Sequence, residues 1–226
     1  MKAAPAKMSE ANALEDLGRA TLRIVHDLKN QLNGLKLYAT FLRKRLERDE
    51  SLAEERETVA KLIAGLDRAA RDTSALVRYA QPVEIKQQRH VDLEKILVAA
   101  AHDSLAGGSG PLNEPIKCEI EAGLAGAWDP GLLGDALAAL TYEAVNNSAS
   151  KNSTAISIHA FRVSPETAAI EWRGLRARTD PEPARSVSGY HSAYEAFAAR
   201  VIAAHDGKLD FPPHSILVSL PLLERD

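Results

Sequence analysis

Aromatic residues make up only 5% of the 226 positions, and a single cysteine, Cys118, stands among them. One cysteine excludes an internal disulfide and a thiolate metal cage, and it fits a reducing, cytoplasmic compartment. An excess of basic charge is also missing. The formal net charge is −3, which argues against a nucleic-acid surface, since such a surface needs a concentrated basic face. No apolar run approaches the roughly 20 residues of a spanning helix, and the opening residues MKAAPAKMSEANALED lack the apolar centre of a signal peptide. Taken as complete, the chain is expected to have no membrane insertion and no sensory domain of its own. What is present is 45% hydrophobic and 26% charged residues, rich in alanine and leucine, so helices should dominate a soluble protein of one large or two small domains.

From about Ala11 to Arg48 there is no proline, and apolar residues recur near heptad spacing at Leu14, Leu17, Thr21, Ile24, Leu28, Leu32, Leu35, Tyr38, Leu42 and Leu46. That spacing predicts a long amphipathic helix with those positions on its buried stripe. A polar break follows, with Ser51 as N-cap and Glu54 three residues on. A second stripe, Leu52, Val59, Leu62, Leu66, Ala69, Thr73, Leu76 and Ala80, ends at Gln81-Pro82. Two long helices joined by a short turn make an antiparallel hairpin. One apolar face would remain wet, and pairing with a second copy into a four-helix bundle covers it, which predicts a homodimer.

After Pro82 the texture changes. Val91–Leu105 reads as a helix, 107–111 as a glycine-rich loop, Ile116–Ile120 as a strand and Pro130–Ala149 as an apolar helix. Ala155–Val163 and Thr167–Trp172 alternate as a hairpin around Ser164-Pro165-Glu166. Arg176–Gly189 is polar and aperiodic, hence a loop. An alanine-rich helix over His191–His205, a turn at Asp206-Gly207 and two strands, Lys208–Phe211 and Ser215–Leu220, complete the chain. Helices interleaved with antiparallel strands predict an α+β sandwich.

One segment carries chemistry: Val25-His26-Asp27-Leu28-Lys29-Asn30-Gln31-Leu32. Ile24 and Leu28 belong to the apolar stripe, and His26 sits about 200° around from each, so it should project into solvent. Asp27 is its immediate neighbour, and Asn30 lies one turn on. A neutral imidazole nitrogen can attack phosphorus, the carboxylate can orient the ring, and the amide can hydrogen-bond the transferred phosphoryl. The other six histidines show no comparable neighbours, and no HExxH-type metal spacing occurs.

His26-Asp27-Leu28-Lys29-Asn30 resembles the H-box of sensor histidine kinases and histidine phosphotransferases. The resemblance runs on through Pro82 with Val91-Asp92-Leu93, through Trp128-Asp129-Pro130 to Ala149 as an N-box helix, and through Ala196–Leu209 as a closing helix-turn-strand. It implies a dimerisation and phosphotransfer hairpin over 1–81, followed by a histidine-kinase-type ATPase domain over 82–226. His26 would be the phosphoacceptor, with Asp27 and Asn30 beside it.

The kinase pattern itself is eroded. Gly174-Leu175-Arg176 follows the strand that should lead to the adenine-binding aspartate, and nothing matches D-x-G-x-G. Where a second glycine-rich loop belongs, only Gly189 remains, and Tyr190, Tyr194 and Glu195 crowd the place where small residues let backbone amides reach phosphates. In the N-box, one alignment puts Glu143 where the magnesium-binding asparagine belongs. Another keeps Asn147 as that ligand and Glu143 as general base. Losing the adenine aspartate alone costs on the order of 1.5–3 kcal/mol, tenfold or more in affinity.

The resemblance therefore points to a histidine phosphotransferase that shuttles a phosphoryl group between His26 and receiver-domain aspartates. Glu143 and Asn147 would be a vestigial site, ATP would be absent, no metal would be held tightly, and Mg²⁺ would arrive with the response-regulator receiver domain. An atypical ATP-dependent kinase, resting on Glu143 and Asn147, and a non-catalytic dimeric scaffold are the alternatives. For the docking rim around His26 the sequence nominates Arg19, Arg23, Lys29, Asn33 and Lys36, whose basic charge would steer an acidic receiver domain.

Overall fold

The structure, a computed structural model, describes residues 5–46, 53–106, 116–148, 156–177 and 190–223, with backbone alone at 5–24, 26 and 103–106. The expected cap at Ser51, the 107–111 loop and most of the Arg176–Gly189 loop lie outside the described residues. The chain divides into two compact units, Met1–Gln81 and Pro82–Asp226.

The first unit is a hairpin of α1 (Pro5–Leu46) and α2 (Ala53–Ala80). Burial along α1 alternates at three- and four-residue steps through Val25, Lys29, Leu32, Lys36, Ala39, Arg43 and Leu46. On α2 the matching steps include Val59, Ile63, Leu66, Ala70, Thr73 and Val77. That 3.5-residue rhythm is the seam of two helices packed along their length. Lys36 Nζ meets Asp67 Oδ1 at 2.5 Å across it. Thr73, buried in the seam, donates its hydroxyl to the Ala69 carbonyl at 2.7 Å, so that hydroxyl is satisfied.

One expectation needs correction. Leu28, Leu35, Tyr38 and Leu42 were placed on the buried stripe with Leu32 and Leu46, yet within one chain they are 46%, 54%, 69% and 50% exposed. The apolar arc on α1 is wider than a single neighbouring helix can cover, so one edge meets α2 and the other faces outward.

The second unit holds β1 (Gln88–Asp92), α3 (Leu93–Ala106), β2 (Lys117–Ile120), β3 (Ala125–Trp128), α4 (Pro130–Asn146), β4 (Ser157–Ser164), β5 (Thr167–Arg173), α5 (Ala193–Ala204), β6 (Lys208–Asp210) and β7 (Ser215–Pro221). The main sheet runs β2-β4-β5-β7-β6, and β1 pairs with β3 in a separate ribbon. Not every strand pair is antiparallel: β2 lies parallel to β4, because the chain between them crosses through β3 and α4. On one sheet face Ile158, Ile170, Trp172, Ile216 and Val218 are fully buried, as are Leu97, Leu133, Leu137, Leu140 and Ile202 of the helices. Each such side chain contributes roughly 1.5–3 kcal/mol of transfer free energy. Trp172 Nε1 donates to Thr141 Oγ1 at 3.0 Å and thereby fastens β5 to α4. At the turn into β6, Asp206 takes a left-handed φ of 57°, and a Cβ on Gly207 would come within 2.6 Å of the Ser219 carbonyl oxygen. Only glycine fits there.

Asp129 starts α4. Its carboxylate accepts from Gly131 N and Leu132 N, both at 3.0 Å, and from Lys86 N at 2.8 Å. Its own N–H donates to His205 Nε2 at 3.0 Å, while His205 Nδ1 lies 2.8 Å from the Val201 carbonyl. An N–H can only donate and a carbonyl can only accept, so His205 is held as the neutral tautomer protonated at Nδ1. Burial pushes the Asp129 carboxyl upward, but the hydrogen bonds from the Leu132, Lys86 and Gly131 backbones outweigh it, and the net shift is downward. A carboxyl lowered in the folded state stabilises fully above its unfolded value and loses that contribution as pH falls through the folded value. Asp129→Ala should therefore cost about 1 kcal/mol at neutral pH. Thermal melts of the two proteins should begin to draw together as pH falls below about 4 and should converge only below the lowered folded value.

Candidate functional site

Position 26 lies within α1, some twenty residues before its end. The side chains of His26, Arg19 and Arg23 lie outside the described residues. Asp27, Asn30 and Asn33 are exposed on the same helix, and Lys29 is half-buried. Lys36 is committed to Asp67 of α2. Lys29 and Lys36 thus lie toward the α2 side of α1, with the Lys36 side chain still 44% exposed. At 100° per residue, Asn33, Leu37 and Phe41 fall within roughly 20°, 20° and 60° of position 26. Leu37 is 55% exposed and Phe41 56%. The face that carries position 26 is therefore partly apolar below it, which the sequence reading missed by looking for charge.

The second unit brings the predicted N-box pair together. Glu143 is buried on α4, and Asn147 is the helix C-cap, donating from Nδ2 to Glu143 Oε2 at 3.1 Å. The carbonyl of Asn147 accepts from Arg176 N at 2.8 Å, and Arg176 Nε donates to the Ser148 carbonyl at 2.8 Å. Leu175, in the segment after β5 where the resemblance expects the adenine-binding aspartate, is buried and bridges Ser148 in antiparallel fashion. Its N–H donates to the His214 carbonyl at 3.2 Å. The segment 174–176 is stitched to the end of α4 on one side and to the strand-end at His214 on the other.

The start of α5 is equally occupied. Ser192 Oγ accepts from Glu195 N at 3.2 Å, and the Glu195 carboxylate turns back to accept from His191 N at 3.1 Å. Glu195 is completely buried. Ser-x-x-Glu at 192–195 is a capping-box spacing, a signal present in the sequence and overlooked there. Two backbone donors at the start of α5, those of Glu195 and His191, are thus taken by Ser192 and Glu195 and are not open to a phosphate. Next to it, Tyr194 packs on Tyr142 of α4 with ring centroids 4.9 Å apart, and Tyr190 meets Phe211 edge-on at 6.0 Å. Among the described residues no group of three or more His, Cys, Asp or Glu side chains could hold a metal ion, and no helix is long and apolar enough to cross a membrane.

No protein-family model matches the chain, and no curated protein matches it. Solved structures do. Full-length ShkA, crystallised in complex with AMPPNP, matches with a TM-score of 0.54 at 18% identity over 91% of this chain and 46% of that one. The present chain thus spans about half the length of ShkA. A mycobacterial sensor histidine kinase, MprB, matches with a TM-score of 0.45 at 17% identity over 60% of this chain and 99% of its own. Histidine kinase AdeS of Acinetobacter baumannii gives 0.45 at 13% identity over 84% and 96%. The ShkA match takes in more of the chain than either compact unit contains, so it includes parts of both. An α+β chain with a helical hairpin followed by a mixed-sheet sandwich, this protein has the fold of the sensor histidine kinases.

Proposed function

We propose that the chain is a two-component phosphorelay protein, a histidine phosphotransferase that works as a homodimer and whose partners are response-regulator receiver domains. A nitrogen of His26 attacks the phosphorus of a receiver aspartyl phosphate. The N–P bond forms as the acyl O–P bond breaks, and the aspartate leaves as carboxylate. The reverse step loads a second receiver. Asp27 orients the imidazole and Asn30 hydrogen-bonds the transferred group, while Mg²⁺ comes with the receiver to neutralise its charge. Leu37, Phe41 and Asn33 supply the surface beneath His26 on which the receiver docks.

The observation that carries this reading is the state of the Gly174-Leu175-Arg176 segment, where the resemblance expects the adenine-binding aspartate: Leu175 is buried and Arg176 is hydrogen-bonded to the end of α4. A buried leucine offers adenine no acceptor for its amino group, and the Glu195 side chain, hydrogen-bonded to the His191 backbone, fills the start of α5 where the resemblance expects phosphates. Both features argue for a phosphoryl source other than ATP. The kinase reading keeps one favourable observation, the Glu143–Asn147 pair at 3.1 Å.

Calorimetry decides between them. Titration with Mg-ATP should give no binding heat at concentrations up to the millimolar range, and micromolar affinity would overturn the phosphotransferase reading. Incubation with a phosphorylated receiver protein should move label onto the chain.

A further inference from the structure

The sheet face turned away from the helices carries an ordered array at its rim. One row aligns Lys117 of β2, Ser157 of β4 and Arg173 of β5, and the next aligns Glu119, His159 and Glu171. The first row lies at the strand ends: Lys117 and Ser157 open their strands, and Arg173 closes its own. Each cation leans on the carboxylate two residues along, Lys117 Nζ on Glu119 Oε1 at 2.5 Å and Arg173 Nη2 on Glu171 Oε2 at 2.6 Å. Set into this frame, Ser157 Oγ is 3.0 Å from His159 Nε2, and His159 Nδ1 is 3.0 Å from the second oxygen of Glu119.

The donor inventory orders these contacts. An ionised carboxylate only accepts, so the proton of a neutral His159 sits on Nδ1, and the bare Nε2 accepts from the Ser157 hydroxyl. The hydrogen bond from Lys117 holds the Glu119 carboxyl below its ordinary range, with the lysine's charge adding to the effect, so Glu119 stays ionised. Hydroxyl, imidazole and carboxylate are thereby connected in the order of a hydrolase triad, at distances within hydrogen-bond reach, and such a constellation is recognised by geometry and roles rather than by fold.

We propose that Ser157, His159 and Glu119 form a nucleophilic relay that takes the acyl group of a small anionic activated ester, drawn to the rim by Lys117 and Arg173. Ser157 Oγ attacks the acyl carbon as its proton passes to His159 Nε2. The C–O bond to the leaving alcohol breaks, and that alcohol takes the proton from His159. Water then attacks the acyl-serine by the same route, releasing the acid and restoring the hydroxyl. Glu119 is a positioning residue that stabilises the transient imidazolium. Lys117 and Arg173 stand on the strands either side of Ser157, and a negative charge that develops on the acyl oxygen would share these cations with Glu119 and Glu171. This activity is independent of His26, and neither reading depends on the other.

Incubation of the full chain with an alkyl fluorophosphonate, followed by peptide mapping, should place the adduct on Ser157. His159→Ala should slow labelling by roughly 10²-fold or more, the size of a general-base contribution, and His159→Gln should repeat that loss if the alanine variant folds poorly. Hydrolysis of mono-4-nitrophenyl succinate should outpace that of neutral 4-nitrophenyl acetate, and Lys117→Met with Arg173→Met should erase the preference. Glu119→Gln should lower kcat for the succinate ester with KM and the thermal midpoint unchanged. Absence of an adduct on Ser157, or labelling of both His159 variants at the wild-type rate, would overturn the proposal.

Discussion

His26→Gln should leave a chain that accepts no phosphoryl group from a phosphorylated receiver, a loss on the order of 10³-fold or more, as befits removal of the covalent nucleophile. Glutamine suits an α-helix at least as well as histidine, so α1 persists and the loss cannot be ascribed to unfolding; circular dichroism checks that point. In the wild-type chain the label should survive alkali and be lost in acid, the behaviour of an N–P bond. Asn30→Ala should retain the label but slow its arrival roughly tenfold, since it removes one hydrogen bond to the phosphoryl group rather than the bond-forming atom. Label that persists in His26→Gln at the wild-type rate sinks both the phosphotransferase and the kinase readings and leaves the scaffold.

The hairpin was legible because its heptad spacing runs unbroken by proline, and α4 because Asp129-Pro130 is a strong start signal. Two strands were not legible. In β3, Ala125-Gly126-Ala127-Trp128 has no β-branched residue, and its glycine is there because the Trp128 indole folds over it, with a Cβ at Gly126 coming within 2.2 Å of the ring. In β1 most positions are polar and exposed, and the strand exists only through its pairing with β3. Neither pattern can be told from loop without the partner strand. The parallel pairing of β2 with β4 is invisible for the same reason: direction is a property of the crossover, not of the four residues of β2.

At the expected sites, the sequence groups residues by spacing and by charge, and the two serve differently. His26, Asp27 and Asn30 could be grouped by spacing alone, because a helix fixes which neighbours share a face. Lys29 and Lys36 were grouped with them on charge. In the fold they sit on the α2 side, and Lys36 is bound to Asp67. A long amphipathic side chain can lie along a seam with its stem buried, so its charge says little about which face it serves. The same holds at α5. Glu195 reads in sequence only as a residue too large for a phosphate loop, whereas in the fold its carboxylate takes the backbone donor at His191. The start of α5 and the 174–176 segment hold internal partners in the fold, so an aspartate placed at 174–176 would meet backbone groups that are already paired.

Leu35→Asp should convert a dimer into monomers. Leu28, Leu35 and Leu42 stand seven residues apart on α1, and Leu62 and Leu76 stand fourteen apart on α2, all about half exposed in a single chain. A stripe that regular over two heptads is what a bundle partner covers, and it lies outside the seam that already closes the hairpin. Burying one leucine contributes roughly 1.5–3 kcal/mol, and a two-fold interface counts each substitution twice, so the dimer dissociation constant should rise by about 10²–10⁴-fold. Sedimentation velocity at micromolar concentration reads this directly, with the wild type running as a dimer. A wild-type monomer at tens of micromolar would remove the dimer from the proposal. Positions 28 and 35 lie about 160–180° around α1 from position 26. Monomeric Leu35→Asp should therefore still accept label on His26, though more slowly if receiver docking also uses the second copy. The two substitutions thus separate chemistry from assembly, one removing transfer from an intact dimer and the other removing the dimer from an intact phosphoacceptor face.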